Sequence, residues 1–249
     1  MIEPSDTCHL PPDSRQPAAG DAGAAHGRIP PPAASFDTGV TPPQQSRSEA
    51  TLRALLLAGR EALERGSFDD MTIVDIARAA GASVGAFYGR FKNKEAYFFA
   101  LQHATIAEVE SNLHALFATL ERQQADARAV IEAFSAFWLG LYSNNRGLYR
   151  AASKHSSAMP GVWSPFKRLG YVASQLVVEH LGPKLKQCGM EGDEMRVRTA
   201  MQFVNGFLIN SVINDPGPNH LDDPGVAKVL AHFLERLLTP PGAADRSSP

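Results

Sequence analysis

Residues 72–94 read TIVDIARAAGASVGAFYGRFKNK, and the interpretation of the whole chain starts from this stretch. Thr72 is a residue type that caps helix N-termini, and Asp75 completes the spacing of a capping box, in which its side chain bonds back to the Thr72 backbone N–H. Gly81 suits the left-handed conformation that ends a helix, and Ser83 can cap a second helix. The stretch therefore predicts a short helix, a turn and a second short helix.

The second predicted helix has one apolar side and one small side. Phe87 and Phe91 recur at helical spacing and should face a small core. Gly85, Ala86 and Gly89 lie on the other side, although a glycine within a helix costs roughly 1 kcal/mol relative to alanine. A loop or a tight helix crossing would also explain these glycines when they are considered alone.

The residues around the small side favour an approach to DNA. Tyr88, Arg90, Lys92 and Lys94 flank it, and no acidic residue occurs from 76 to 94. A hydroxyl group and three cations suit phosphate contacts, and a helix without protruding side chains can lie deep in the major groove. This pattern indicates a helix-turn-helix that binds DNA.

From about Arg47 to Leu101 the sequence resembles the TetR/AcrR family of bacterial transcriptional regulators. The resemblance is carried by an amphipathic first helix, by MTIVDIARAAGASVGAFYGRF, and by KNKEAYFFAL at the start of a long helix. It implies that the second and third helices form the helix-turn-helix and that the third enters the major groove.

The resemblance also implies which residues contact double-stranded DNA. They are Val84, Gly85, Ala86 and Tyr88 at base edges, Tyr88 and Arg90 near the backbone, Thr72, Ser83 and Lys94 at phosphates, and Arg47 in an arm. Residues 84–86 supply no hydrogen-bonding side chain. Base readout would therefore depend on methyl contacts with thymine, on Arg90, or on DNA shape.

Composition narrows the class of protein. With 249 residues, 44% hydrophobic and 20% charged, the chain can bury a core in one or two domains. A net charge of −2 argues against a general polycation. Cys8 and Cys188 lack the spacing of a zinc site or a disulfide framework, so we expect a reducing, cytoplasmic location without a metal or cofactor. No apolar run reaches the roughly 18 residues that span a bilayer, and no secretory signal is apparent, so no membrane partner is expected.

Four segments are predicted along the chain. Residues 1–45 form a Pro/Ala/Gly-rich tail expected to be disordered, 46–104 the helix-turn-helix domain, 105–239 a helical effector-binding and dimerisation domain, and 240–249 a second tail. The fold class is all-α, with about nine helices and a three-helix core of its own in the N-terminal domain. A helix of about 28 residues from Asn93, ~42 Å long, would begin in one domain and end in the other and act as a lever.

Aromatic side chains crowd the C-terminal domain, and they admit two interpretations. Most such residues form a core, but aromatic side chains with a few polar groups also line ligand cavities. The effector-contact candidates are Phe134, Trp138, Tyr142, His155, Trp163, Phe166, Tyr171, Gln175, Phe203 and Asn210, and Asn205 is a further polar candidate. The effector would be a small apolar or aromatic molecule.

The last two predicted helices carry the candidate dimer interface. AMQFVNGFLINSVI is apolar on nearly every side, and a final helix is predicted to open with Asp223 as cap and Pro224. The resemblance implies that the two helices meet their copies in a four-helix bundle, although contacts within one chain would use the same residues. The candidates are Phe207, Val212, Val226, Val229, Leu230, Phe233 and Leu237.

The leading hypothesis is a ligand-responsive transcriptional regulator: a repressor that binds a palindromic operator as a homodimer and is released by its effector. A helical interaction protein whose helix-turn-helix has lost DNA binding is an alternative. An enzyme is a third. Ser153, His155, Ser156 and Ser157 are adjacent polar residues, but no GxSxG, HExxH or paired-acid pattern accompanies them, so no catalytic residue is assigned.

Overall fold

The computed structural model describes residues 46–187 and 193–238, with the side chains at 46 and 47 excepted. Within these residues the protein is all-α, as the sequence predicted, and the predicted tails lie outside them. The helices are α1 (Ser46–Arg65), α2 (Ile73–Ala79), α3 (Val84–Tyr88), α4 (Lys94–Arg122), α5 (Ala127–Ser143), α6 (Arg146–Lys154), α7 (Ser164–Gln187), α8 (Glu194–Ile213) and α9 (Val226–Leu238).

Side-chain caps set where several helices begin. Asn93, Asp126 and Asp193 accept hydrogen bonds from backbone N–H groups in the first turns of α4, α5 and α8. The prediction for the last helix was wrong, because α9 begins at Val226 rather than at Pro224. The Asp223 carboxylate instead accepts a hydrogen bond from the His220 N–H at 2.8 Å, so it stabilises the preceding turn.

Two hydrophobic clusters hold the helices together. One unites the inner faces of α1 to α3 and the start of α4, and the other joins α5, α7, α8 and α9 to the rest of α4. The first cluster also contains Leu148 and Ala152 of α6 and Met159 and Val162 after it. The three N-terminal helices therefore share their core with α6, and the prediction that they have a core of their own was wrong.

The long helix α4 connects the two clusters. It spans 29 residues, close to the predicted length. Its first turns bury Tyr97, Phe98 and Leu101 in the N-terminal cluster, and from Ile106 onwards its buried hydrophobic residues belong to the C-terminal one. The helix α4 therefore runs without a break from the residues beside α3 to the C-terminal cluster.

The loop between α8 and α9 contains a titratable contact. His220 Nδ1 lies 2.8 Å from Asp215 Oδ1, and this hydrogen bond raises the pKa of His220 above its ordinary value of 6.5. The contact between protonated His220 and the Asp215 carboxylate contributes fully to the stability of the folded loop just below pH 6.5. This contribution disappears as the pH rises through the higher folded-state pKa of His220.

We expect His220→Gln to flatten a small part of the pH dependence of thermal stability above pH 6.5. The effect is small because the pair is exposed and screened by solvent. Thermal unfolding of both proteins across this pH range tests the expectation, with the same replacement at His114, an exposed histidine on α4, as the control. An unchanged pH profile in His220→Gln would contradict it.

Candidate nucleic-acid interface

A threonine cap begins the first helix of the predicted motif. The Thr72 hydroxyl accepts a hydrogen bond from the Asp75 N–H at 3.1 Å, as predicted. The return contact differs from a capping box, because the Thr72 hydroxyl also donates to Asp75 Oδ2 at 2.5 Å. This hydrogen bond, assisted by the Arg78 guanidinium, lowers the pKa of the Asp75 carboxyl group. The α2 N-terminus is thereby fixed by side chains of its own first turn.

A tight turn orients the second helix. Gly81 has a φ of +62°, a conformation that residues with a Cβ rarely adopt, so glycine is favoured there. Ser83 caps α3 by accepting a hydrogen bond from the Ala86 N–H at 3.0 Å. The predicted helix, turn and helix are thus present, with both caps at the residues that the sequence indicated.

The two sides of α3 face different environments. Phe87 is fully buried, and its ring packs against Phe91 and Tyr97 with centroid separations of 5.0 Å. On the opposite side Val84 is 38% and Tyr88 55% exposed. Gly85 is exposed too, and a Cβ added there would meet only the Ser83 hydroxyl, at 3.7 Å. The outer face of α3 is therefore smooth, with the Tyr88 side chain at one end.

The cationic side chains around this face differ in exposure and in their hydrogen bonds to the rest of the chain. Lys92 is exposed, whereas two nitrogens of the half-buried Arg90 guanidinium donate to groups of the same chain. The side chain of Arg47, the predicted arm residue, lies outside the described part of the structure. The positive charge beside α3 is thus present as predicted, but Arg90 has internal contacts that sequence patterns did not reveal.

Lys94 links the start of α4 to the loop after α1. Its Nζ donates to the Asp69 carbonyl oxygen at 3.0 Å and lies 4.6 Å from the centroid of the Phe68 ring. Burial lowers the pKa of Lys94, opposed by the negative charges of Asp69 and Asp70. A phosphate would have to add to or replace these contacts.

Asp69, in the loop between α1 and α2, contacts both the start of α4 and the end of α6. Sequence reasoning did not identify this residue. Its carboxylate oxygens lie 2.5 Å from Lys154 Nζ and 3.0 Å from His155 Nε2, both at the end of α6. The Lys154 hydrogen bond lowers the pKa of Asp69. No signal in the sequence could have found this residue, because nothing near it in the chain indicates that α6 packs against it.

Part of the predicted effector-contact set forms one aromatic group. Phe134 stacks on Trp138 at 5.4 Å, and Tyr142 stacks on Tyr149 at 4.3 Å. The Asn205 side-chain oxygen accepts hydrogen bonds from Trp138 Nε1 at 2.8 Å and from the Tyr142 hydroxyl at 3.1 Å. Burial raises the pKa of Tyr142. Phe166 and Trp163 complete the group, since Phe166 stacks on Tyr149 and contacts Trp163.

The other predicted effector contacts do not join this group. His155 lies beside Asp69, and Gln175 donates to Glu194 at the surface. Tyr171 and Phe203 are 39% and 57% exposed, and the exposed Asn210 accepts a hydrogen bond from Asn214. The side chains of Tyr171, Phe203 and Asn210 point outward because helical periodicity places them away from the inward rows of α7 and α8.

Two cavities in the described part of the structure lie away from this aromatic group. One of about 230 Å³ lies between α1 and α2, and the other, of about 280 Å³, lies between the end of α1 and α6. Of the predicted effector contacts, only His155 lines either cavity. Among the residues that the structure describes, no cluster of His, Cys, Asp or Glu is placed to hold a metal ion, and none of the helices could cross a membrane.

The predicted dimer-interface residues divide between two faces. Val212 of α8 and Val226 and Leu230 of α9 are buried in the subunit core, so their prediction as interface residues was wrong. Phe207 and Leu237 are partly buried. Val229 and Phe233 are 45% and 41% exposed on the outer face of α9, which the described residues of the subunit leave open to solvent.

A family model matches the N-terminal part of the chain. Residues 55–101 match the family model described as bacterial regulatory proteins, tetR family, which confirms the resemblance inferred from the sequence. No curated protein matches the chain in sequence.

Solved structures share the fold at low sequence identity. A TetR-family transcriptional regulator from Mesorhizobium loti has a TM-score of 0.63 and 19% identity, over 78% of this chain and 98% of that one. A tetR-family regulatory protein from Rhodococcus RHA1 has a TM-score of 0.54 and 16% identity, over 76% and 97%. The regulator FadR from Bacillus subtilis, solved in complex with stearoyl-CoA, has a TM-score of 0.51 and 16% identity, over 76% and 97%. At these identities the similarity concerns the fold.

Proposed function

We propose that this protein, which has the fold of TetR-family transcriptional regulators and matches the tetR family model over residues 55–101, is a DNA-binding repressor. It acts in the cytoplasm and binds a palindromic operator as a homodimer. A small apolar or aromatic effector bound in the C-terminal domain releases it from the operator.

The observation that carries the proposal is the outer face of α3. Phe87 and Phe91 anchor the helix in the core, while Val84, Gly85 and Tyr88 face solvent. A short helix needs such anchoring, and an exposed face of small side chains permits close approach of a groove floor. The exposed hydroxyl of Tyr88 and the exposed charge of Lys92 beside this face support contacts with the phosphates that flank a groove.

Selection from genomic DNA fragments with the purified protein tests DNA binding. We expect enrichment of a sequence with two related half-sites whose centres are about one helical turn, ~34 to 36 Å, apart. Binding to a duplex of that sequence should weaken steeply as salt is raised, because phosphate contacts release counterions. Failure to enrich any sequence would overturn the proposal and favour a helical interaction protein instead.

The homodimer is proposed from the apolar side chains left on α8 and α9. Phe203, Val229 and Phe233 are large exposed hydrophobic residues on neighbouring helices, and pairing with a second copy would remove them from water. The same rotation that pairs the subunits would bring two α3 helices to one face of a DNA duplex.

We expect Phe233→Glu to convert the dimer to a monomer at micromolar concentration, because a carboxylate would be buried without a partner in the interface. Sedimentation velocity measures the mass directly. The control is Leu57→Glu on α1, since Leu57 is an equally apolar residue with 58% exposure. A dimeric Phe233→Glu protein would contradict this interface, and a monomeric wild type would contradict the dimer.

The effector site is proposed at the aromatic group around Asn205. Tyr142 and Tyr149 belong to α5 and α6, and Asn205 to α8, so a molecule inserted there would separate helices that lead to the DNA-binding unit. The stearoyl-CoA complex of FadR supports an apolar effector, since a protein of the same fold binds a molecule with a long hydrocarbon chain. Differential affinity for two arrangements of α4 and α6 then shifts the population away from the DNA-binding one.

Tryptophan fluorescence tests the effector proposal. Both tryptophans of the chain, Trp138 and Trp163, lie in the aromatic group. A panel of aromatic acids and acyl-CoA compounds should therefore contain one that changes the emission and, at the same concentration, releases the selected operator. A compound that releases the operator without changing the emission would place the effector site elsewhere.

A further inference from the structure

The Arg90 side chain folds back onto its own chain at the end of α3. Its Nη1 donates to the Ala86 carbonyl oxygen at 2.9 Å. Its Nη2 donates to the Ser48 hydroxyl at 2.8 Å and to the Ser48 carbonyl oxygen at 3.0 Å. Ser48 belongs to the first turn of α1, 42 residues away in the sequence. One guanidinium group therefore bridges the last turn of α3 and the start of α1.

The Arg90 bridge supplies α3 with hydrogen bonds to a residue outside the helix. This helix has five residues, and helices so short depend on outside contacts. The Arg90 backbone N–H bonds to the Phe87 carbonyl at 2.9 Å and not to Ala86, so the guanidinium meets the Ala86 carbonyl instead. A cation at the C-terminal end of a helix is also favoured by the helix dipole.

We propose that Arg90 is a positioning residue, which sets the angle of α3 against α1 through Ser48 and does not itself contact DNA. The inference rests on the proposed function, because it concerns the helix that would enter the groove. It makes Ser48 part of the DNA-recognition apparatus, although nothing in the local sequence of Ser48 indicates such a role.

Replacing Arg90 by lysine distinguishes a positioning role from a role that depends on charge alone. Three acceptors at fixed places are matched by the planar fork of arginine, whereas a lysine ammonium group keeps the charge without the fork. A contact with a DNA phosphate would survive Arg90→Lys in large part, since it depends mainly on charge. The bridge to Ser48 and Ala86 would be lost in Arg90→Lys.

The experiment compares wild type with Arg90→Lys, Ser48→Ala and the double variant. Hydrogen exchange of residues 84–91 is measured in the protein without DNA, and affinity is measured by fluorescence anisotropy on the selected operator. Arg128→Lys is the matched control, because that arginine forms an exposed ion pair with Glu132 on α5. Far-UV circular dichroism and thermal unfolding verify that each variant is folded.

We expect faster exchange across residues 84–91 in both single variants before any DNA is added. Operator affinity should fall roughly tenfold in Arg90→Lys and about threefold in Ser48→Ala. The double variant should be no weaker than Arg90→Lys, because both changes break one bridge.

Wild-type exchange and wild-type affinity in Arg90→Lys would overturn the proposal and assign Arg90 to a phosphate. Wild-type exchange with a relaxed preference at a single base pair would overturn it in favour of base readout, and additive effects in the double variant would also overturn it. If the wild type selects no DNA, the proposed function fails, and the exchange data still decide whether the bridge holds α3 in place.

Discussion

Gly147→Ala is expected to lower the free energy of unfolding by about 2–3 kcal/mol, near the upper end for overpacked sites. Gly147 lies in the first turn of α6, where a Cβ would come within 2.0 Å of the Leu63 carbonyl oxygen and 2.4 Å of its carbon. Both are backbone atoms of α1, so no side-chain rotation can relieve the clash. The Gly147 N–H also donates to Glu64 Oε1 at 3.1 Å, which fixes the same contact.

Thermal and urea unfolding measure the effect, and Gly140→Ala is the control. Gly140 lies inside α5, and a Cβ there would meet only the Asn144 side chain, at 3.8 Å. Alanine is the better helix former, so this variant should be as stable as wild type or more stable by up to about 1 kcal/mol. Equal stability of Gly147→Ala and wild type would show that α6 can move away from α1 at little cost.

A functional effect should accompany the loss of stability. Any Gly147→Ala protein that remains folded must hold α6 farther from α1, and α1 shares its core with α3. Under the proposed function its operator affinity should therefore fall even at temperatures where it is fully folded. This result would identify the contact between α1 and α6 as one that the DNA-binding arrangement requires.

Replacing Tyr88 and Lys94 together by alanine is expected to reduce operator affinity by roughly a hundredfold or more, which corresponds to about 2.8 kcal/mol. Tyr88 is the large exposed side chain of α3, and Lys94 carries a positive charge at the adjoining start of α4. Under the proposed function, the double change would remove a base-edge or backbone contact at Tyr88 and a phosphate contact at Lys94.

The two single variants separate these roles. Lys94→Ala should reduce the slope of log affinity against log salt by about one unit for each phosphate that the side chain neutralises. Tyr88→Ala should leave this slope nearly unchanged. Lys186→Ala, which removes an exposed cation at the end of α7, is the control. Tight, sequence-specific binding by the double variant would place the DNA surface elsewhere.

Lys94→Ala needs a stability measurement beside the affinity. Its ammonium group also donates to the Asp69 carbonyl and lies over the Phe68 ring. The DNA effect is therefore read only at temperatures where unfolding shows the variant to be folded. A lowered melting temperature with an unchanged salt slope would indicate that Lys94 acts through the loop after α1 and not through a phosphate.

Local patterns were sufficient for most of the helices and their caps. Thr72 and Ser83 each need only a backbone N–H three residues later, and Gly81 needs only its own φ angle, so the interactions lie within one turn of chain. The burial of Phe87 and the exposure of Tyr88 follow from adjacent positions on one short helix. Contacts of this range are encoded in residue spacing, which is why the helix-turn-helix was predicted correctly.

Surfaces shared between distant helices were not predictable in the same way. Val226 and Val229 are identical in type and three residues apart, yet one is buried against the rest of the subunit and the other is exposed. Periodicity indicates that such a helix has an apolar side, but not which neighbour covers it. The same limit applies to Phe203, which was assigned to a ligand site and lies instead on the outer face of α8.

The sequence by itself determined the all-α fold, most of the helix limits and the smooth exposed face of α3, because each depends on spacing within a few turns. Only the tertiary structure decided that Arg90 bridges to Ser48, that Asp69 joins α6 to the loop between α1 and α2, and that Gly147 lies against Leu63. These contacts join residues 42 to 85 positions apart, and they exist only once the helices have packed.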